Sequence, residues 1–524
     1  MVKREKYFPP VYFTAIAAAL TVYPVSSIMM KADFSFAGPL ATLIALTGLA
    51  IGSALFSLPW QITLRTQSAQ GRRRTAELLL SICAGILLGS VSLMQIREER
   101  QMLTTLADQK RVTALSGTIL SDPVPCGNSF YFLPLRVTSC TYSDHSVFSA
   151  CGNCMVLMPA ALIREAIPGG IATESGGRVL YASGVTVEMK GSFKPYSENE
   201  GETFFASEGT SLRWQTPLHL FRAYLRLSLM KVLYGWGDAG GFLLALFSAN
   251  RDYLSPSLSN DFRVTGLSHI LALSGMHLSL IALVVIQTGK RLGGRRFAVR
   301  LSLLAIVLFV WFAGASPSLN RALIMAFLIA LARFLGFRSS ILPILAATFL
   351  IQLLFMPAEA LTLAFMLSYG ALWGILTFSG YLSYLLSGSL PKIVYSDISV
   401  SIGAQLMTTP IIALTIGVLA PIGIIASCLI SPLSSFFLVA GMMLTLISVL
   451  FPPLGHFCAQ ILDFMYRCIA VPVHAFASVN PLSIKGLEDT MTACIVPILA
   501  GVLLMYGSAI FQKRRSPDAC FARL

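Results

Sequence analysis

TGLSHILALSGMHLSL, residues 265–280, sets two histidines, three serines and two glycines in a segment otherwise apolar enough to enter a bilayer. A polar side chain in hydrocarbon costs free energy unless it finds a partner or faces water, so such a cluster marks a cavity or a path for polar cargo. On one continuous helix His269 and His277 would lie two turns apart and about 80° around the axis. They would then occupy neighbouring faces and form no i, i+4 metal pair. The plain alternative is that Ser268, Ser274 and the two histidines only hydrogen-bond neighbouring helices as packing glue.

Outward from this stretch, 55% of the 524 residues are hydrophobic and only 12% are charged, against about 25% charged in soluble domains. A soluble globular protein is excluded. Apolar runs near the ~20 residues that span a bilayer recur along most of the chain, so the expected fold is a polytopic α-helical membrane protein. Spans fall near 11–30, 38–60, 76–96, 266–288, 299–313, 318–335, 341–356, 359–378, 393–417, 422–451, 454–478 and 491–511, about twelve in all, some of them broken or re-entrant. Ser431-Pro432 is expected to interrupt the long run after Pro421. The net charge of +14 has a topological cause before any nucleic-acid one. Basic residues cluster in short loops: Lys3, Arg4 and Lys6; Arg65 and Arg72 to Arg74; Lys290, Arg291, Arg295, Arg296 and Arg300; Arg333 and Arg338; Lys513 to Arg515. The positive-inside rule makes these loops cytoplasmic and leaves residues 97–217 outside.

That outer segment alternates Val, Leu, Phe and Tyr with turn residues over 114–120, 129–137, 147–157 and 179–187, the pattern of short strands in a small all-β barrel of OB-like type. It holds more acidic than basic residues, whereas a groove that tracks a nucleic-acid backbone should be basic. Strand alternation sends Phe130, Tyr131 and Phe132 to opposite faces, so core packing is their expected role. Cys126, Cys140, Cys151 and Cys154 are disulfide candidates on an oxidising side. Cys151-Gly152-Asn153-Cys154 has no companion His or second C-x-x-C and makes an incomplete zinc site, so no metal is expected. From Pro217 to Tyr234, Leu218, Phe221, Leu225, Leu229 and Val232 alternate with Arg222, Arg226 and Lys231 as on an interfacial amphipathic helix. The chain thus divides into amino-terminal helices (1–96), the outer β domain (97–217), interfacial helices (218–265) and a membrane domain (266–524).

Gly266-Leu267-Ser268-His269 with Leu273-Ser274-Gly275-Met276-His277 resembles the signature segment of the ComEC family, bacterial inner-membrane proteins that form the DNA-uptake channel of natural competence. Gly314-Ala315-Ser316-Pro317-Ser318-Leu319-Asn320-Arg321-Ala322, Met366-Leu367-Ser368-Tyr369-Gly370-Ala371, Gln405 with Thr408 to Pro410, and Ser431-Pro432-Leu433 resemble the family's later motifs in the same order. The resemblance implies a multi-pass protein of the bacterial cytoplasmic membrane that conducts single-stranded DNA inward, with an extracytoplasmic OB-like domain at its entrance. It also implies an extracytoplasmic DNA receptor, a cytoplasmic helicase-like ATPase, single-strand DNA-binding proteins and, where a strand is degraded, a separate nuclease as partners. The carboxy-terminal metallo-β-lactamase-like domain of some relatives is not expected, because no H-x-H-x-D-H motif occurs and the chain ends soon after the last span.

Candidates for the DNA path are Ser268, His269, Ser274, His277, Asn320, Arg321, Ser368 and Gln405. Arg321 stands out, because an always-charged guanidinium inside a membrane region needs a partner, water or phosphate. No catalytic residue and no cofactor are expected. An intramembrane hydrolase using Ser274 and His277 is the weaker alternative, and a secondary transporter for a small or lipid-linked solute is the other.

Overall fold

The computed structural model describes residues 10–31, 80–95, 111–126, 129–161, 181–195, 202–248, 251, 253–314, 316–336, 340–389, 391–479, 481–484 and 487–514. The expected span at 38–60, the loop at Arg72 to Arg74 and the amino-terminal lysines lie outside them. Helices α1 (Pro10–Lys31) and α2 (Leu80–Gln95) precede six strands: β1 (Val112–Ile119), β2 (Val124–Cys126), β3 (Phe130–Tyr142), β4 (Val147–Pro159), β5 (Val185–Pro195) and β6 (Glu202–Trp214). Then come α3 (Pro217–Tyr234), α4 (Gly237–Ser248), α5 (Pro256–Val264), α6 (Ser268–Leu271), α7 (Gly275–Ala313), α8 (Pro317–Phe334), α9 (Ile341–Phe355), α10 (Pro357–Ala360), α11 (Leu363–Leu386) and α12 (Lys392–Thr415). The chain continues through β7 (Val418–Leu419), α13 (Gly423–Leu450), α14 (Gly455–Ala477), β8 (Leu482–Ser483) and α15 (Leu487–Arg514). The protein is mostly helical, with one β domain inserted between helices.

Strand β1 pairs antiparallel with both β3 and β5, β3 with β4, and β5 with β6, while β4 and β6 run parallel through Val156 and Phe204. The ring β1-β5-β6-β4-β3 therefore closes on itself, which removes sheet edges, and β2 is appended to β3. Tyr131, Leu133, Leu135 and Val137 alternate inward from β3 and pack with Val187, Met189 and Phe204. Tyr131 is thus a core residue, and Phe130 packs edge-on against Phe205 with centroids 6.3 Å apart.

Strand register keeps one of the expected cysteine pairs apart. Cys140 and Cys154 are both buried and not bonded to each other. Cys140 faces Phe148 across the ladder whereas Cys154 faces Leu135. Five residues of strand separate those positions, roughly 17 Å at strand rise, beyond the ~7 Å limit for a bridge. Cys151 is exposed and Cys154 is buried, so the C-x-x-C pair points to opposite faces.

Among the described residues five helices are long and apolar enough to cross a membrane, in α7, α8, α11, α12 and α13. Their starts are written in local chemistry. Thr216-Pro217, Ser255-Pro256 and Ser316-Pro317 each place an N-cap-type residue before a proline at the first helical position. Helix α7 is a hairpin of two arms, because Gly293 (φ −149°, ψ 17°) and Gly294 (φ 76°, ψ −175°) leave helical geometry between them. Lys290, Arg291, Arg295, Arg296 and Arg300 sit exposed around this turn. Helices α11 and α12 approach so closely that a β-carbon at Gly374 would collide with the Gly403 carbonyl, as small residues allow in membrane bundles.

Three expectations change. Residues 265–280 are not one helix: α6 ends at Leu271, Ala272 and Ser274 are extended, and α7 starts at Gly275, which voids the angular argument relating His269 to His277. Before α6, Gly266 takes φ 74° beside Ala420, and Gly423 packs on the Thr265 carbonyl. Pro432 does not interrupt α13, which is tolerable because a membrane bundle re-satisfies backbone groups freed by proline. Helix α4 lies in the core instead of at an interface. Its residues Ala239 to Leu246 are all buried, and Phe242 meets the rings of Phe262, Phe437 and Tyr466.

The β domain is fastened to the helices through Asp122. Its Oδ2 lies 2.8 Å from Arg222 Nη2 and 2.8 Å from Arg226 Nη1, and the Ser183 amide donates to Oδ1 at 3.0 Å. The same guanidiniums donate to the final carbonyls of α7: Arg222 Nε to Phe312 O at 3.2 Å and Arg226 Nη1 to Ala313 O at 2.8 Å. Arg226 Nη2 also donates to Ser248 O at 3.3 Å. Helix α3 is therefore not merely amphipathic, since its arginines face inward.

Burial alone would raise the Asp122 pKa, but Arg226, Arg222 and the Ser183 amide hold it below the ordinary carboxylate range. Because folding lowers this pKa, its stabilising contribution is complete above the ordinary value near ~4 and is lost as pH falls through the still lower folded value. We predict that Asp122→Asn, which strands two buried guanidiniums, destabilises the protein by about 3–5 kcal/mol at neutral pH and removes this part of its acid sensitivity. Unfolding midpoints of both proteins from pH 7 down to pH 3 check it, and parallel acid profiles would contradict it.

Candidate functional site

The break between α7 and α8 builds the site. Gly314 (φ 98°) ends α7, Ser316 caps α8 by accepting from the Leu319 amide, and Pro317 takes the first helical position. Asn320 and Arg321 then fall in the first turn of α8, and both are buried. Opposite them, Met356 ends α9 and a second break places Glu359 in α10 before Thr362 caps α11.

These breaks bring together a connected polar network. Asn320 Nδ2 donates to Glu359 Oε1 at 2.9 Å and to Met356 Sδ at 3.4 Å. Gln352, fully buried, donates through Nε2 to Glu359 Oε2 at 2.7 Å and to Pro317 O at 3.2 Å. Its own Oε1 accepts from the Tyr369 hydroxyl at 2.9 Å. Ser318 Oγ donates to Ser368 Oγ at 2.9 Å, and Arg321 Nη1 donates to the Ser368 carbonyl. The Arg321 guanidinium carbon sits 5.8 Å from the Tyr369 ring centroid, a cation–π arrangement. Glu359 thus has both carboxylate oxygens engaged, and among the described residues Arg321 forms no ion pair.

Of the residues expected from sequence, Asn320, Arg321 and Ser368 meet here, and Gly275 at the start of α7 abuts Arg321 Nη2. Ser274 is the N-cap of α7, half-buried, with no side-chain capping bond. His277 is fully buried, and neither ring nitrogen has a hydrogen-bond partner. Ser268 and His269 stand apart and exposed on α6, where His269 Nδ1 lies 3.1 Å from Gly266 O. Gln405, on α12, is half-buried and joins none of these bonds. Sequence reasoning missed Glu359, Gln352, Tyr369 and Ser318. Glu359 did carry a signal, because it is the only acidic residue between Asp261 and Asp397.

We predict that Gln352→Ala lowers the unfolding midpoint clearly, since it leaves groups on Glu359, Tyr369 and Pro317 without a partner at about 1–3 kcal/mol for each buried group. Thr348→Val, one turn earlier, loses only a bond to Ile344 O at 2.7 Å within its own helix and should cost under about 1 kcal/mol. Thermal unfolding in detergent compares them, and equal midpoints would contradict a structural network.

The family described as Competence protein matches residues 246–513, just over half of the chain, and that range holds every residue of this network. ComE operon protein 3 of Bacillus subtilis (strain 168) is 26% identical over 209 residues, 39% of this chain and 26% of that protein. An uncharacterized protein of Aquifex aeolicus (strain VF5) is 30% identical over 213 residues, 40% of this chain and 48% of that protein. The chain therefore aligns with about a quarter of the first relative's length and about half of the second's. No solved structure matches. With apolar helices of membrane-spanning length, the ordered motifs and the family match in register, this chain belongs to the Competence protein family, that of ComEC.

Proposed function

We propose that this protein is a multi-pass channel of the bacterial cytoplasmic membrane that conducts single-stranded DNA inward during natural transformation. Membership of the competence family supports a role in DNA uptake. The observation that carries the channel reading is Arg321, a cation with no ion pair among the described residues, buried where two helices break inside an apolar bundle. A fixed charge in that position is costly unless polar cargo or water reaches it. About twelve spans with both termini cytoplasmic fit the exposed basic turn of α7. An OB-like identity for the β domain is supported by its ring of five strands, closed by a parallel β4–β6 contact. In this reading the barrel stands at the extracytoplasmic entrance.

The protein acts without hydrolysing its cargo, so strand degradation, where it occurs, belongs to a separate nuclease. Its partners are an extracytoplasmic DNA receptor, a helicase-like ATPase and single-strand DNA-binding proteins on the cytoplasmic side. Deleting the gene and measuring labelled DNA in the cytoplasm separately from DNA bound at the surface tests the reading. Loss of internal DNA with surface binding retained is the expected result. We further predict that Arg321→Ala and His277→Ala lower DNA uptake at least tenfold at equal protein level. An interhelical hydrogen bond in a membrane protein is worth only about 0.6 kcal/mol on average, so residues acting as glue would leave most uptake intact. Wild-type uptake in both variants would remove these residues from the path.

A further inference from the structure

The first turn of α7 faces Arg321 in a way that is electrostatically incomplete. The amino-terminal end of a helix carries partial positive charge and unpaired amides. Ser274, at the N-cap of the first arm of α7, supplies no side-chain acceptor for them. Against that end lies a second positive group: Arg321 Nη2 would be only 3.2 Å from a β-carbon on Gly275. Arg321 is 9% exposed, and its Nε is buried without a partner. No carboxylate answers it, because Glu359 is already engaged by Asn320 and Gln352. His277, third residue of the same turn, is 0% exposed with both ring nitrogens unbonded. A guanidinium and a helix terminus thus lie together, with the Ser368 carbonyl the acceptor Arg321 meets among the described residues. His277, two residues beyond Gly275, sits about 200° round the helix from it.

We propose that the α7 amino terminus and Arg321 form a phosphate-binding subsite, which takes the oxygens of a phosphate monoester or diester. A single anion would answer the guanidinium and the helix terminus at once. The planar guanidinium fork matches two phosphate oxygens, and helix-terminal amides match a third. Gly275 lets Arg321 approach the helix closely, since a β-carbon there would lie 3.2 Å from Nη2 and 3.4 Å from Ala322 Cβ. The site itself stands on this geometry. Only the identity of the phosphate carrier, a passing DNA strand, rests on the channel reading, and a lipid headgroup is the other source of the same chemistry.

The test uses the full-length protein in maltoside micelles, which contain no phosphate. Inorganic phosphate titrated at constant ionic strength should raise the thermal midpoint saturably in the wild type. Arg321→Gln should weaken that response at least tenfold, and Arg321→Lys should fall between. Gly275→Ala keeps the charge but fills the space, so it should unfold like the wild type without phosphate and still lose the response tenfold. A fluorescent oligothymidylate should follow the same order of variants, whereas the same oligomer with uncharged methylphosphonate links should be indifferent to them. If phosphatidylglycerol competes with phosphate while oligothymidylate binding ignores the variants, the subsite stands and its carrier is lipid. A phosphate response absent from the wild type, or equal in Arg321→Gln and Gly275→Ala, overturns the subsite. A normal phosphate response with gene deletion leaving DNA uptake unchanged would instead bring down only the channel reading.

Discussion

The three-way contact of Asp122 with Arg222 and Arg226 holds this architecture together. Two buried guanidiniums on α3 would repel each other and strand their donors without that carboxylate. With it in place, the arginines keep donors free for the last carbonyls of α7 at Phe312 and Ala313. A helix end buried in a membrane protein needs such acceptor satisfaction, because water is not at hand to provide it. The β barrel, helix α3 and the break before α8 are therefore fixed by one charge cluster. Gly314 follows directly, and seven residues beyond it stands Arg321.

The network around Arg321 obeys the same economy of donors and acceptors. Gln352 is central because an amide offers both kinds of group. It donates to Glu359 and Pro317 while accepting from Tyr369, and so links α8, α9, α10 and α11. Asn320 completes the shell of Glu359. Arg321 is the exception. It gives one bond to Ser368 and lies over an aromatic face, yet it forms no ion pair among the described residues. A fully satisfied network stiffens a fold, and a locally unsatisfied one marks where binding energy is available.

Much of this was legible in the sequence because it rests on short-range chemistry. Apolar runs, the Ser316-Pro317 helix start, the basic turn of α7 and the strand pattern of the β domain are all local signals. What failed was non-local. The turn at Thr265 and Gly266 that leads into α6 packs on Ala420 and Gly423, more than a hundred residues away, and the extended residues Ala272 and Ser274 carry no local signal for the break. Cys140 and Cys154 share a domain, but strand register keeps them apart, and register is not visible in spacing alone. Arg222 and Arg226 read as the polar face of an amphipathic helix because their acceptor, Asp122, lies about a hundred residues earlier. Glu359 shows the reverse lesson. A lone acid across a long apolar stretch is a signal in its own right, and it needed no structure to be noticed.

The small ladder between β7 and β8 has a mechanical meaning. Val418 and Leu419 pair with Ser483 and Leu482, and the Ile484 amide adds a bond to Gly417 O at 2.8 Å. Those residues join α12 to α13 and α14 to α15, so two helical hairpins are clasped at one end by backbone bonds. Clasped hairpins travel as one body. By contrast, where α7 begins beside α13, Met276 touches Ser431 and Ser435 only through side-chain contacts at 3.8 Å. The α7–α13 boundary is held at this end by side chains, whereas the β7–β8 clasp is held by the backbone itself.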